Sequence, residues 1–145
     1  MATRLRGPLL NVVIVDSRGF DRLALSLLCR EDPALRVVAM AEDLQAACHA
    51  LSVRKGEAVA LVGDRLLRDA GAMVVGSLRL CGGDVRVLMV GVGEEEEMRR
   101  EATRLGVDGV LQRDGDSVTQ LAAIWGATSA VPRWGNDAPL SRPRG

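Results

Sequence analysis

The sequence predicts an α/β protein, an open doubly wound sheet of five parallel strands, with helices on both faces. Three observations carry that prediction. Five short, mostly β-branched apolar runs recur at a regular interval between residues 11 and 128. They are nearly continuous rather than alternating, as expected of parallel strands covered on both faces. Segments of helical period separate them, and right-handed crossovers then put any binding site at the carboxyl ends of the strands.

The runs are Val12–Val15, Leu35–Ala39, Ala58–Val62, Val85–Val90 and Gly109–Leu111. Phe20, Leu23, Ala24 and Leu27 mark the first helix by their i, i+3, i+4, i+7 spacing, and Leu44, Ala47, Cys48 and Leu51 mark the second. The third connection, around residues 70–81, is a weaker helix because Gly71 and Gly76 interrupt it. The fourth, from Glu94 to Leu105, is highly charged with a thin stripe of Met98, Ala102 and Leu105. Val118, Leu121, Ala122 and Trp125 restore the pattern in the fifth.

The chain has 145 residues, 48% hydrophobic and 26% charged, enough for one domain with a substantial core. Its boundaries are a basic extension over residues 1–10, a domain over 11–128, and a Pro-, Gly- and Arg-rich tail or linker over 129–145. Arg4 and Arg6, with Arg133, Arg142 and Arg144 against Asp137, give the two ends four net positive charges. Residues 11–128 carry four negative ones in balance. A neutral chain with only Phe20, Trp125 and Trp134 as aromatics offers neither a basic face nor a stacking platform, so direct nucleic-acid binding by this domain is not expected. No apolar run is long enough to span a bilayer and the N-terminus lacks a cleavage-site pattern. Cys29, Cys48 and Cys81 form no CxxC, so they read as small buried hydrophobes in a reduced, cytoplasmic setting.

The strand ends carry the chemistry. Asp16-Ser17-Arg18 follows the first strand, Gly63-Asp64-Arg65 the third, Gly91-Val92-Gly93 the fourth and Gln112-Arg113-Asp114 the fifth. Asp16 and Asp64 would converge on one mouth as a thin, oxygen-ligated cation site, although Asp16 serves equally well as a helix N-cap or turn residue. Arg113 would neutralise that mouth by pairing with Asp16 or Asp64, or else stand as an exposed loop arginine. Gly91 and Gly93 lack the third glycine and the Lys-Ser/Thr of a phosphate loop, and Glu94–Glu97 would repel a phosphate. His49 is solitary, and no nucleophile–base set is present, so the chain is not expected to be an enzyme.

Val13-Ile14-Val15-Asp16, the run Ala60–Asp64, Asp84–Val90 and Leu105–Leu111 together resemble the receiver domain of bacterial response regulators, in the branch with a LuxR-type helix-turn-helix output. The resemblance spans residues 11 to about 127. Its most specific part is Gly106, Gly109, Leu111 and Asp114, with Arg113 at the family's lysine position. It implies the flavodoxin-like receiver fold and a module of two-component phosphorelay signalling that regulates transcription. By direct alignment it puts the phosphoacceptor on Asp64, or on Gly63 if the third strand ends one residue earlier. It also marks Gly91 and Arg113 as the switch positions.

At those positions the chain departs from the family. The acidic pair is Asp16-Ser17, the proline after the acceptor is Arg68, the switch Thr or Ser is Gly91, and the rotating aromatic is Val110. Phosphotransfer needs a cation to offset phosphoryl charge and a hydroxyl to read the product. Asp16 and Asp64 therefore imply a Mg²⁺ site that is weakened or lost, and no cofactor is expected. The sequence reads as an atypical, pseudo-receiver module. Its alternatives are a receiver still phosphorylated on Asp64, a small-molecule sensor using the same mouth, and, last, a small α/β enzyme.

The expected partners are a protein or a DNA-binding effector, fused or separate, and a second copy of the chain in a weak homodimer. Two faces could serve the dimer. One is the mixed-charge helix with Arg99, Arg100 and Arg104 beside Glu97 and Glu101, unless pairs such as Glu96–Arg100 and Glu101–Arg104 satisfy it internally. The other is apolar, with Leu25 and Leu28 of the first helix and Ala123 and Trp125 of the last.

Overall fold

Five parallel strands run in the order β2-β1-β3-β4-β5 through the centre of the molecule. The computed structural model describes residues 9–54 and 56–128. The tail over 129–145, and all but the last two residues of the basic extension, lie outside the described residues. The strands are β1 (Leu10–Val15), β2 (Leu35–Ala41), β3 (Ala58–Gly63), β4 (Val85–Gly91) and β5 (Gly109–Gln112). The helices are α1 (Gly19–Cys29), α2 (Leu44–Ser52), α3 (Asp64–Ala70), α4 (Ala72–Gly82), α5 (Glu95–Leu105) and α6 (Ser117–Gly126).

Continuous apolar runs make the inner strands because both faces of the sheet are covered. Every residue of β1 and β3 is buried. Val13, Val15, Ala60, Val62, Val87 and Met89 pack in one layer with α2, α3, α4 and α5. Val12, Ile14, Val59, Leu61, Leu88 and Val90 pack in the other with α1 and α6. Truncating Ile14 or Leu61, both fully buried, to alanine would cost about 2–5 kcal/mol. Asp43 and Asp116 start α2 and α6 by accepting the backbone N–H groups of Ala46 and Thr119 at 2.9 and 2.8 Å.

Two expectations from the sequence need correction. The third connection holds two helices, α3 and α4, so six helices flank the sheet among the described residues. Gly71, at φ +67°, turns the chain between them, a conformation that costs a side-chain-bearing residue strain.

α1 also differs from the expectation. Its inward residues are Leu25, Leu28 and Cys29, whereas Phe20, Leu23, Ala24 and Leu27 face solvent, with Phe20 87% exposed. The helix carries apolar residues on two sides, so its period identifies a helix without choosing which side the sheet covers. Leu25 and Leu28 are therefore core residues and not available to a dimer face. In α6, Ile124 enters the core with Leu121 and Trp125 partly buried beside it, while Val118 and Ala122 point outward.

The strand order reverses between β1 and β3. Crossovers leave in opposite directions there and open a crevice beyond the carboxyl ends of these two strands. Among the described residues no helix is long and apolar enough to cross a membrane.

Candidate functional site

At the crevice, β1 delivers Asp16 as its next residue and β3 ends on Gly63, with Asp64 opening α3 without an intervening loop. Asp16 is 3% exposed. Its Oδ1 accepts the backbone N–H of Arg18 at 2.9 Å, the turn role that the sequence allows it. Its Oδ2 accepts Nη2 of Arg113 at 2.6 Å. Arg113 also approaches Asp21 at 3.6 Å, and Arg18 reaches the other oxygen of Asp21 at 2.9 Å. The backbone of Arg113 is itself held, its N–H donating to Gly91 O at 2.8 Å and its carbonyl accepting Nε2 of Gln120 at 3.1 Å. Arg113 is thus a fixed, largely buried cation and not an exposed loop residue.

Asp64 takes a different partner. Its Oδ2 accepts Nη1 of Arg68 at 2.9 Å, one helical turn along α3. The expected alternative of an Arg113–Asp64 pair is not formed: Arg113 pairs with Asp16 and Asp21 instead. Arg68 turns its remaining donors toward α5, where Nε and Nη2 grip the two carboxylate oxygens of Glu101 at 2.9 Å each. This fork holds the Glu101 carboxyl below the usual carboxylate range and raises the Arg68 guanidinium further above its own. Asp64, Arg68 and Glu101 form a continuous charged link from the mouth to α5.

Two glycines leave space that carboxylates fill. A Cβ on Gly63 would overlap Oδ2 of Asp16 and lie 2.9 Å from its Cγ. A Cβ on Gly91 would lie 2.7 Å from Oδ2 of Asp64 and 3.2 Å from its Cβ. The absence of side chains at the ends of β3 and β4 is what admits Asp16 and Asp64 to their observed positions. Around them lies a cavity of about 530 Å³, lined by Arg18, Arg65, Arg68 and Arg113 with Asp21, Asp64 and Asp69.

This arrangement does not fit a divalent cation. Both oxygens of Asp16 are already engaged, one of them by a guanidinium at 2.6 Å, and Asp64 is tied to Arg68. Ser17, where a second carboxylate would be needed, is exposed. Among the described residues no three His, Cys, Asp or Glu side chains gather as a metal site. Arg18, Arg65, Arg68 and Arg113 supply the positive charge at this mouth.

The sequence brings Asp16, Asp64, Gly91 and Arg113 into view, and the fold assembles all four at one mouth. Asp64–Arg68 is legible as an i, i+4 pair, but Glu101 as the third member is not, because the contact spans 33 residues. Cys48 and Cys81, which read as separate core residues, are neighbours between α2 and α4.

No protein-family model and no curated protein matches the chain. Solved structures do. A LuxR-family two-component response regulator from Aurantimonas sp. SI85-9A1 superposes with a TM-score of 0.67 at 19% identity, covering 81% of this chain and 84% of that one. The signal receiver domain of NarL from Mycobacterium tuberculosis gives 0.68 at 23% identity, over 83% and 96% of the two chains. The isolated receiver domain of RcsB from Salmonella enterica serovar Typhimurium, solved with the phosphate mimic BeF3−, gives 0.65 at 16% identity, over 86% and 97%. The chain has the fold of response-regulator receiver domains.

Proposed function

We propose that this chain is an atypical receiver, a signalling and protein-interaction module of response-regulator type that works without conventional phosphorylation and contributes to transcriptional control from the cytoplasm. One observation carries the reading: the Arg113 guanidinium donates to the buried Asp16 carboxylate at 2.6 Å. The charge that phosphotransfer chemistry would manage with a cation is compensated by the protein itself. Ser17 and Gly91 support the same reading, since neither supplies the second carboxylate or the hydroxyl that such chemistry uses. On this reading the module takes its input from a partner protein and passes it to a fused or separate DNA-binding effector. It binds no nucleic acid itself and catalyses no reaction.

The module also forms a weak homodimer. Arg99, Arg100 and Arg104 of α5 already meet Glu95, Glu96 and Glu101 within their own helix at 2.6, 4.0 and 3.8 Å. The exposed apolar stripe of Phe20, Leu23 and Leu27 on α1 supports self-association better.

A second reading has an observation of its own. The Asp64 side chain is 13% exposed and lines the cavity, where a phosphoryl donor could reach it. Incubation with acetyl phosphate and Mg²⁺, followed by intact-mass measurement, separates the two. An unmodified chain is the expected result. A phosphoryl adduct mapped to Asp64 overturns the phosphate-independent reading in favour of the second.

A further inference from the structure

Away from the mouth, α2 and α4 pack directly against each other, and each brings a cysteine to their seam. Cys48 Sγ lies 3.7 Å from the carbonyl oxygen of Ser77, which sits four residues before Cys81, one turn down α4. The backbones are close at the same level: a Cβ on Gly82 would lie 3.2 Å from Cβ of Leu51, the residue one turn beyond Cys48. The Cys48 and Cys81 side chains interact with one another, and both are partly exposed at the edge of the same apolar cluster. Cys29 is different, since it is buried between α1 and the sheet on the opposite face.

We infer that Cys48 and Cys81 are a reversible dithiol, which a low-molecular-weight disulfide oxidises to an intramolecular bond stapling α2 to α4. The thiolate of one cysteine attacks a sulfur of the small disulfide, forming a mixed disulfide and releasing one small thiol. The thiolate of the second cysteine then attacks the protein sulfur, closing the Cys48–Cys81 bond and releasing the other small thiol. Two protein thiols lose two electrons and two protons in total, and the small disulfide gains them as two thiols.

The surroundings set the conditions for this chemistry. Burial, and then the adjacent Cys81 thiol, push the Cys48 thiol up to about 11. Little Cys48 thiolate is present near neutrality, so attack by Cys48 is slow there and quickens as pH rises. α4 is bounded by Gly71 and Gly83, at φ +67° and +76°, so the bond would tie down a helix whose two ends are turns. The staple would fix the α2–α4 face independently of anything bound at the mouth.

The folded chain is incubated with oxidised glutathione at mildly alkaline pH, then mapped by mass spectrometry without reduction. The expected product has lost two hydrogens, contains a cross-linked Cys48–Cys81 peptide pair, and keeps Cys29 as a thiol. Its thermal midpoint should rise by roughly 5–15 °C and fall back on reduction. In Cys48→Ser the remaining Cys81 should retain a glutathione adduct, because no neighbouring thiol displaces it. Stable adducts on both cysteines of the unsubstituted chain would overturn the inference. So would a bond to Cys29 or to a second chain, an unreactive pair, or a lowered midpoint.

Discussion

The guanidinium of Arg113, at the end of β5, donates at 2.6 Å to the carboxylate of Asp16, at the end of β1, reaching it past the ends of β3 and β4 from 97 residues away in sequence. Two elements that never pair as strands are thereby joined at the mouth. With Asp16 3% exposed and Arg113 16% exposed, the pair is well shielded from water, and each partner is the other's principal compensation.

Removing Arg113 should therefore strand a buried carboxylate. Arg113→Ala is expected to destabilise the fold by about 1–3 kcal/mol, measured by urea denaturation at neutral pH. Asp16→Asn in the same background should recover part of the loss, because the stranded charge is gone. An unchanged midpoint in Arg113→Ala would show that the pair contributes nothing.

The glycines at the ends of β3 and β4 should resist even the smallest side chain. Gly63→Ala drives a methyl into the fixed Asp16 carboxylate and should cost about 1–3 kcal/mol. Gly91→Ala meets Asp64 instead and should push it off Arg68. Its cost and that of Arg68→Ala should then sum to more than the double variant shows, in a denaturation cycle. Strict additivity would place Asp64 elsewhere.

The Arg68–Glu101 fork should register in the pH dependence of stability. Glu101 has a depressed carboxyl in the fold, so its contribution is fully present above the ordinary value near 4.3. It is lost as pH falls through the lowered folded value. The stability gap between the unsubstituted chain and Glu101→Gln should be open at pH 7 and shrink as acid protonates Glu101 in the folded chain. The gap should stay below about 1 kcal/mol, because Arg68 is half exposed. A gap that persists in acid would mean that the charge on Glu101 is not its source.

Self-association should follow α1. Sedimentation velocity at high micromolar concentration is expected to show a weak dimer that survives high salt and is lost in Phe20→Ser. Dissociation by salt alone would move the interface to the charged α5. A strict monomer would remove the dimer from the account.

The fold was legible because strand patterning in a doubly covered sheet is nearly independent of context: Val12–Val15 and Val85–Val90 have no other way to bury themselves. What was hidden depended on tertiary contacts. α1 carries leucines on two sides, and only docking on the sheet selects Leu25 and Leu28. Gly71 reads as a weakness within one helix, whereas it is the turn between two. Of the mouth, Arg113 could be named as a partner for Asp16 or Asp64 because all three stand at strand ends, and the fold selects Asp16. The Arg68 bridge from Asp64 to Glu101 could not, since the Arg68–Glu101 contact joins residues 33 apart in sequence. The Cys48–Cys81 contact requires α2 and α4 to pack, which spacing alone does not state.

The most direct test of the account is a titration of the chain with beryllofluoride and Mg²⁺ followed by backbone amide shifts. A mouth whose charge is held by Arg113 and Arg68 should show no saturable shifts at Asp16, Asp64, Gly91 or Arg113. Saturable shifts centred on Asp64 and extending along α5 would contradict it, and would establish a working phosphoacceptor site.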